Sequence, residues 1–360
     1  MSKFYSLNKI LSINAQYYMI IGERSNGKTY AALEYGLRRY FETGEQFAYI
    51  RRWADDFKNK RAITLFDNHI SNGVIQKLSK GMFNGVKYQS GRWFFIHTTE
   101  GIVDTVSDTP FAYAFAISTM EHDKSTAYPN VTTVIFDEFL TRGMYLPDEF
   151  VLFMNVLSTI IRQRNNVKIF MLANTVNKYC PYFAEMGITN IEKQKPGTID
   201  VYQYGESNLK VAVEYTAPLA KSKPSDVYFA FDNPHLNMIK NGTWEIDIYP
   251  HCPMKYKPKE VMFVYFIEFN QNLLQCEIIN HDGYVFTFIH RKTTPIKNDT
   301  DLCFSLDVQP SNYRRVNITK PTDNMTRRIY KLYQSSDIYY QDNEIGEIVR
   351  NYLLACGKII

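Results

Sequence analysis

The sequence predicts an α/β protein with a doubly wound, mainly parallel sheet, followed by a smaller α+β domain. Three observations support this prediction. An apolar strand at residues 17–21 enters a loop bounded by two glycines, and a helical pattern opens at residue 28. A second apolar run at 131–136 hardly alternates, as expected of a central strand covered on both faces. Three strand-like segments between 260 and 290 predict an antiparallel meander.

The first part of the chain follows the strand and helix order of a nucleotide-binding domain. The first long helix ends before Gly44, and residues 46–51 form the next strand, which gives a βαβ unit. Residues 55–126 are interpreted as an inserted hairpin region around two strands, RWFFIHT and FAYAFAIS. A helix at 147–162 and a strand ending at Asn174 complete the pattern. The sites of such sheets lie at the carboxyl ends of the strands.

The character of the sequence changes beyond about residue 218, where Pro- and Lys-rich segments flank a region without periodicity. We therefore predict a P-loop domain at residues 1–218, a linker at 219–255 and a C-terminal α+β domain at 256–360. Turns containing Asn and Gly separate the meander strands of the last domain. Two helices, near 322–335 and 342–356, complete it.

The composition indicates a folded globular protein, because 45% of the 360 residues are apolar and 15% are aromatic. The formal charge of +4 is compatible with a nucleic-acid partner but too small to indicate one. Five scattered cysteines without a CxxC pair suggest neither a disulfide framework nor a zinc site. No segment reaches the roughly 18 apolar residues of a membrane span, so a soluble, cytoplasmic protein is expected.

The loop GERSNGKT matches the phosphate-binding pattern G-x-x-x-x-G-K-[ST] at every fixed position, between the strand and the helix that the motif requires. Its glycines let backbone N–H groups point at phosphate oxygens, and the following helix adds its positive end. Lys28 is predicted to bridge the β- and γ-phosphates of ATP, and Thr29 to supply a hydroxyl to Mg²⁺. The predicted phosphate-binding residues are Gly22, Glu23, Arg24, Ser25, Asn26, Gly27, Lys28 and Thr29.

A second motif, VTTVIFDE, places two carboxylates at the end of the predicted central strand. Asp137 is predicted to hold the metal, and Glu138 to orient and deprotonate the attacking water. An acid after a buried strand is often only a helix cap. Together with the phosphate loop upstream, however, the two carboxylates favour ATP hydrolysis over nucleotide binding alone.

Further polar residues are candidates for this site. Asn174, at the end of its strand, is predicted to hydrogen-bond the γ-phosphate or the water, with an ordinary turn residue as the alternative. Arg162 and Arg164 lie at the domain's rim, where an arginine can reach a neighbouring subunit's ATP or simply end a helix in solvent. Two explanations, a structural salt bridge and contact with nucleotide, remain open for Arg24, Arg51 and Arg52.

Basic residues lie among aromatic ones in the region 55–126, a pattern that suits contacts to the backbone of DNA. Solvated surface lysines are the common alternative. The DNA-binding candidates are Lys58, Lys60 and Lys124.

The C-terminal meander can belong to an RNase H-like fold, which in nucleases holds two metal ions on carboxylates. Only Glu268 lies in the middle of a strand, where a first metal ligand would be needed. No convincing second or third carboxylate accompanies it. A domain that binds a partner is therefore favoured over a nuclease.

Four segments resemble the DNA-packaging ATPases of phi29-like tailed phages, and the similarity covers most of residues 1–190. They are GERSNGKT, YIRR, KSTAYPNVTTVIFDEFL and IIRQRNNVKIFMLAN. The resemblance implies a homomeric, pentameric ring at the portal vertex of a prohead, which translocates double-stranded DNA by ATP hydrolysis in the host cytoplasm and is absent from the mature virion. It also implies Mg-ATP binding by Lys28, Thr29, Asp137 and Glu138. Arg162 falls at the position of the family's trans-acting arginine, and Lys124 at that of its DNA-contacting loop lysine.

The same resemblance implies an RNase H-like C-terminal domain that lacks nuclease chemistry and binds prohead components, including a structural RNA. Two other functions remain open. One is a DNA-dependent ATPase of the helicase or recombinase type, which would prefer single strands. The other is an ATP-gated nucleic-acid-binding module with negligible ATP turnover. The presence of Glu138 after Asp137 disfavours this function.

Overall fold

The computed structural model of the protein describes residues 5–58, 60–122, 126–141, 145–146, 148–174, 180–191, 193–205, 208–217, 249–252, 254–306 and 311–357. The chain divides into two compact units. The first takes in residues 1–141 and 149–245, and the second takes in 142–148 and 246–360. Most of the predicted linker, 219–255, lies outside the described residues. Within the described part of the chain, no helix is long and apolar enough to cross a membrane.

The first unit is a mixed, mainly parallel sheet with helices on both faces. Its described strands are β1 (Tyr17–Gly22), β2 (Gln46–Arg51), β3 (Gly85–Gln89), β4 (Arg92–Thr99), β5 (Ile102–Val106), β6 (Ala112–Ala116), β7 (Val131–Asp137), β8 (Lys168–Asn174), β9 (Thr198–Tyr204) and β10 (Leu209–Tyr215). Its described α-helices are α1 (Asn8–Leu11), α2 (Lys28–Thr43), α3 (Lys60–Ile63), α4 (Asp67–Ser71), α5 (Val74–Leu78), α6 (Glu149–Ile161) and α7 (Pro181–Glu185).

The strand order is β3-β4-β6-β2-β7-β8-β1-β10-β9, with β5 paired to β4. The six strands from β6 to β10 in this order run parallel, while the outer strands pair antiparallel. Helix α2 packs its apolar side into a core with one face of the sheet. On the other face, Phe153 of α6 packs against Phe136, with ring centroids 5.0 Å apart. These layers confirm the predicted doubly wound, mainly parallel sheet of a P-loop ATPase fold.

One part of the predicted topology is wrong. The sequence predicts that FAYAFAIS belongs to an inserted hairpin region, but its strand β6 is a parallel neighbour of β2 inside the main sheet. Phe111, Ala112 and Phe115 are buried there, so this apolar strand belongs to the core. Short helices α3 to α5 occupy much of the preceding region, and the hairpin prediction holds only for β3, β4 and β5.

Gly36, in the middle of α2, lies against Phe47 of β2. A Cβ at this position would sit 2.6 Å from Cδ1 of Phe47, whose side chain is fully buried. Alanine ordinarily stabilises a helix by about 1 kcal/mol relative to glycine. Here overpacking costs about 1–3 kcal/mol, so we expect Gly36→Ala to lower the free energy of unfolding, measured by urea denaturation. Adding Phe47→Leu should make the double variant less destabilised than the sum of its parts. An alanine variant more stable than the wild type would contradict this close packing.

Over its described residues, the second unit consists of a sheet with the order β15-β14-β11-β12-β13-β16 and two α-helices. Strands β11, β12 and β13 form the predicted antiparallel meander, β14 pairs parallel with β11, and β16 pairs parallel with β13. The elements are β11 (Val261–Phe269), β12 (Asn272–His281), β13 (Tyr284–Arg291), β14 (Cys303–Ser305), β15 (Arg314–Arg315), β16 (Ile338–Tyr340), α8 (Asn324–Ser335) and α9 (Asn343–Cys356). The meander and both helices are as predicted, but the prediction that only Glu268 lies within a strand is wrong, because Glu277 lies in the middle of β12. Among the described residues, no group of three or more His, Cys, Asp or Glu side chains is placed to hold a metal ion.

Candidate functional site

The candidate site lies at the carboxyl ends of three adjacent strands. In the parallel pairing of β1 with β8, Gly22 stands opposite Asn174. In the pairing of β7 with β8, Asp137 stands opposite Leu172. The phosphate loop, the acidic turn after β7 and the polar end of β8 therefore meet at one edge of the sheet, as expected for an open α/β sheet.

Asn26 connects the phosphate loop to the chain beyond β10. Its side-chain amide donates to Oγ1 of Thr216, beyond the end of β10, over 3.1 Å, and its Oδ1 accepts from the backbone N–H of Lys28 over 3.2 Å. Gly22 is needed for close approach, because a Cβ there would lie 1.8 Å from Oγ1 of Thr216. Gly27 is needed for its backbone, which has a left-handed φ of 94°.

Lys28 is buried at the centre of the loop, with only 5% of its surface exposed. Its Nζ donates to Glu23 O at 2.7 Å and to Asn26 Oδ1 at 3.1 Å, with longer contacts of 3.4 Å to Gly22 O and to Asn174 Oδ1. Burial lowers the pKa of Lys28 to about 8, while the nearby charge of Asp137 acts in the opposite direction. The loop therefore supplies oxygen partners for this buried ammonium.

Asp137 is bound by hydroxyl groups from two different elements. Thr29 Oγ1 donates to its carboxylate, at 3.1 and 3.2 Å from the two oxygens, and Tyr49 donates from β2 over 2.8 Å. Burial raises the pKa of Asp137, whereas Arg51, with Nη1 3.7 Å from the carboxylate, favours the charged form. Tyr49 was not predicted as a site residue. A tyrosine inside an apolar strand signals that its hydroxyl has a partner, but only the pairing of β2 with β7 identifies that partner.

Glu138 follows in a left-handed backbone conformation, with a φ of 60°. Its carboxylate accepts a charge-assisted hydrogen bond of 2.7 Å from Arg51, and its side chain is 55% exposed. Arg51 also contacts Asp56 at 3.4 Å. Of the two explanations left open for Arg51, the structure shows the salt bridge. This ion pair holds the Glu138 carboxylate beside the guanidinium of Arg51.

A cleft of about 590 Å³ joins these groups. It is lined by Ser25, Asn26, Gly27, Lys28, Thr29, Tyr30, Asn68, Asn72, Asp137, Glu138, Ala173 and Asn174. Most of the predicted phosphate and catalytic residues thus share one cavity. Asn68 and Asn72, four residues apart on or beside the short helix α4, were not predicted, because no motif marks them.

Arg162 is not among the residues of this cleft. It follows α6, is exposed, and donates from Nη2 to the carbonyl oxygen of Thr126 over 3.2 Å. Its neighbour Arg164 donates to five backbone carbonyls, including Val131 O at 2.6 Å, which makes Arg164 a structural brace at the amino end of β7. Because β7 has seven residues, that end lies roughly 20 Å from Asp137.

Two of the predicted DNA-binding lysines, Lys58 and Lys60, do not line the cleft. Lys58 forms an exposed salt bridge of 2.7 Å with Asp55, and Lys60 is exposed at the start of α3. Lys124 lies outside the described residues. Arg24 is exposed on the phosphate loop, whereas the predicted Glu23 contributes the carbonyl that binds Lys28.

The chain is similar to known phage DNA packaging proteins. The family model of the podovirus DNA encapsidation protein (Gp16) matches residues 1–287. The DNA packaging proteins of Bacillus phages phi29 and PZA are each 33% identical to the chain over 186 residues, which is 51% of this chain and 49% of the relative. The chain thus matches about half the length of these curated relatives.

Two solved structures show the same fold over nearly the whole chain. The Phi-28 gp11 DNA packaging motor has a TM-score of 0.58 at 18% identity and covers 100% of this chain and 99% of its own. The bacteriophage Phi-29 viral genome packaging motor assembly has a TM-score of 0.59 at 19% identity, and the match covers 99% of this chain and 100% of that chain. Since the family model spans most of the 360 residues and the phosphate loop, acidic turn and cleft all lie within it, the chain belongs to the podovirus DNA encapsidation protein (Gp16) family.

Proposed function

We propose that this protein is an ATP-hydrolysing motor that moves double-stranded DNA into a prohead. The observation that supports ATP hydrolysis is the convergence of Lys28, Thr29, Asp137 and Glu138 on one cleft. Membership of the DNA encapsidation family supports DNA as the load. The phi29 relative is itself named a DNA packaging protein.

The residues of the cleft fit Mg-ATP. The N–H groups of the loop and the positive end of α2 would receive the phosphates, and Lys28 would exchange the loop oxygens for β- and γ-phosphate oxygens. Thr29 and Asp137 already place a hydroxyl and a carboxylate in contact, and hard oxygen donors of this kind suit Mg²⁺. When bound, Mg²⁺ would neutralise charge on the phosphates.

Hydrolysis requires a base beside the γ-phosphate. Glu138 would leave Arg51, accept a proton from water and direct the water oxygen at the γ-phosphorus, with ADP as the leaving group. Asn174 Oδ1 lies 3.4 Å from Lys28 Nζ, so its amide is close to the expected position of the γ-phosphate. There it would hold the phosphate or the attacking water in line.

The position of Arg162 supports a ring. Arg162 is exposed and does not line the cleft of its own chain, so we assign it to the ATP of an adjacent subunit. We therefore propose a homomeric ring, pentameric as in the phi29-like family that the sequence resembles, at the portal vertex of the prohead in the host cytoplasm. Lys58, Lys60 and Lys124 would contact the DNA backbone, and the C-terminal unit would bind prohead components, including a structural RNA.

Phosphate release tests this function. We expect turnover of ATP by the wild type to rise when duplex DNA is added and to rise less with single strands of the same length. Lys28→Ala should abolish turnover with either DNA, because the variant loses the cation that binds the phosphates. Stronger stimulation by single strands would favour a helicase or recombinase. Negligible turnover under all conditions would favour an ATP-gated binding module.

A further inference from the structure

A buried arginine, Arg52, lies directly behind the turn that presents Glu138. Its guanidinium donates from Nη1 to Glu138 O over 3.2 Å and from Nη2 to Phe139 O over 2.7 Å. Only 5% of its side chain is exposed. While its neighbour Arg51 binds the carboxylate of Glu138, Arg52 therefore binds the backbone of the same residue.

The guanidinium is itself held in place by a buried carboxylate. Glu149, the first residue of α6, accepts from Nε over 2.7 Å and from Nη2 over 2.8 Å, which is a bidentate pair. The Glu149 side chain is fully buried, and the hydroxyl of Tyr182 donates to its Oε1 over 2.8 Å. Two helices thus fix the orientation of Arg52.

The stability of the fold does not explain this arrangement. Apolar residues of similar volume often replace a buried ion pair without loss of stability, because desolvation offsets the attraction. What apolar residues cannot supply is a rigid fork of donors for the two carbonyls. The turn needs such donors, since Glu138 is a non-glycine residue with a φ of 60°, a conformation that must be held by its surroundings.

We propose that Arg52 is a positioning residue for hydrolysis, which fixes the backbone of Glu138 so that its carboxylate faces the cleft. This proposal rests on the proposed role of Glu138 as the base. It also joins Glu138 to α6 through Glu149, and Arg162 follows the other end of that helix.

The test distinguishes a role of Arg52 in positioning Glu138 from a role in stabilising the fold alone. We would compare the wild type with Arg52→Met/Glu149→Leu, which removes both buried charges together, and with Arg52→Lys, which keeps a charge for Glu149 but loses the fork. For each variant, thermal melting reports folding, a fluorescent ATP analogue reports the affinity and number of nucleotide sites, and phosphate release at saturating ATP gives kcat per bound nucleotide.

We expect both variants to bind nucleotide with an affinity within about threefold of the wild type, and kcat per site to fall about ten- to a hundredfold, as misplacement of a catalytic group does. Arg39→Gln is the matched control, because it breaks another bidentate Arg–Glu pair, with Glu45, away from the cleft. Its kcat should not change. If the double variant does not fold, Arg52→Lys decides the question.

Wild-type kcat per bound nucleotide in a folded variant would overturn the proposal and leave Arg52 as a brace only. A loss of kcat that merely follows the loss of nucleotide sites would overturn it as well. Absence of turnover in the wild type would instead contradict the proposed function, so the two failures are distinguishable.

Discussion

Glu138→Gln is expected to lower kcat for ATP hydrolysis by about a hundred- to ten-thousandfold while nucleotide binding persists. Glutamine has nearly the same shape and can still accept a hydrogen bond from Arg51, but it cannot take a proton from water. The phosphate loop, Lys28 and the carboxylate of Asp137 are unchanged by the substitution. The decisive measurement is single-turnover phosphate release beside equilibrium binding of a fluorescent ATP analogue.

A matched control for this variant is Glu34→Gln, which removes a surface carboxylate that pairs with Arg38 within α2. That variant should hydrolyse ATP at the wild-type rate, because exposed pairs of this kind contribute little to stability. Near-normal turnover in Glu138→Gln would show that another group deprotonates the water, and the proposed mechanism would then be wrong.

Arg162→Ala is expected to lower DNA-stimulated turnover by about a thousandfold or more, as the loss of a trans-acting arginine does in other phosphoryl-transfer enzymes. The variant should still bind ATP in its own cleft, since Arg162 does not line that cleft. Mixing it with Glu138→Gln subunits should restore part of the activity at intermediate ratios. In such a ring, the cleft of an Arg162→Ala subunit keeps Glu138 and receives an arginine from a Glu138→Gln neighbour.

The control mixture combines Glu138→Gln with Lys28→Ala. Because both residues belong to the same cleft, no arrangement of these subunits produces a complete site, and activity should remain absent at every ratio. If the Arg162→Ala mixture also stays inactive at every ratio, the idea of an intersubunit site loses its support.

The sequence predicted those parts of the site that are local in the chain. The phosphate loop and the Asp137-Glu138 turn are each continuous motifs, and Asn174 ends a recognisable strand, so parallel pairing alone brings them together. The sequence does not predict Tyr49, because its partner Asp137 is 88 residues away and is identified only by the pairing of β2 with β7.

The same limit applies to Arg51, Arg52 and the strand β6. Adjacent arginines look equivalent in a sequence, but one reaches the carboxylate of Glu138 and the other a buried glutamate 97 residues away. The strand β6 was misassigned because the preceding loops and short helices lack a clear period. Its burial beside β2 depends on a long connection that local patterning does not reveal.

The hydrogen bonds of Lys28 bear on the strength of phosphate binding. Its buried ammonium already donates to oxygens of the loop, among them Glu23 O at 2.7 Å and Asn26 Oδ1 at 3.1 Å. Phosphate oxygens would replace these partners rather than satisfy a cation that has none. The net free energy that Lys28 contributes to ATP affinity would therefore be smaller than the number of its phosphate contacts suggests.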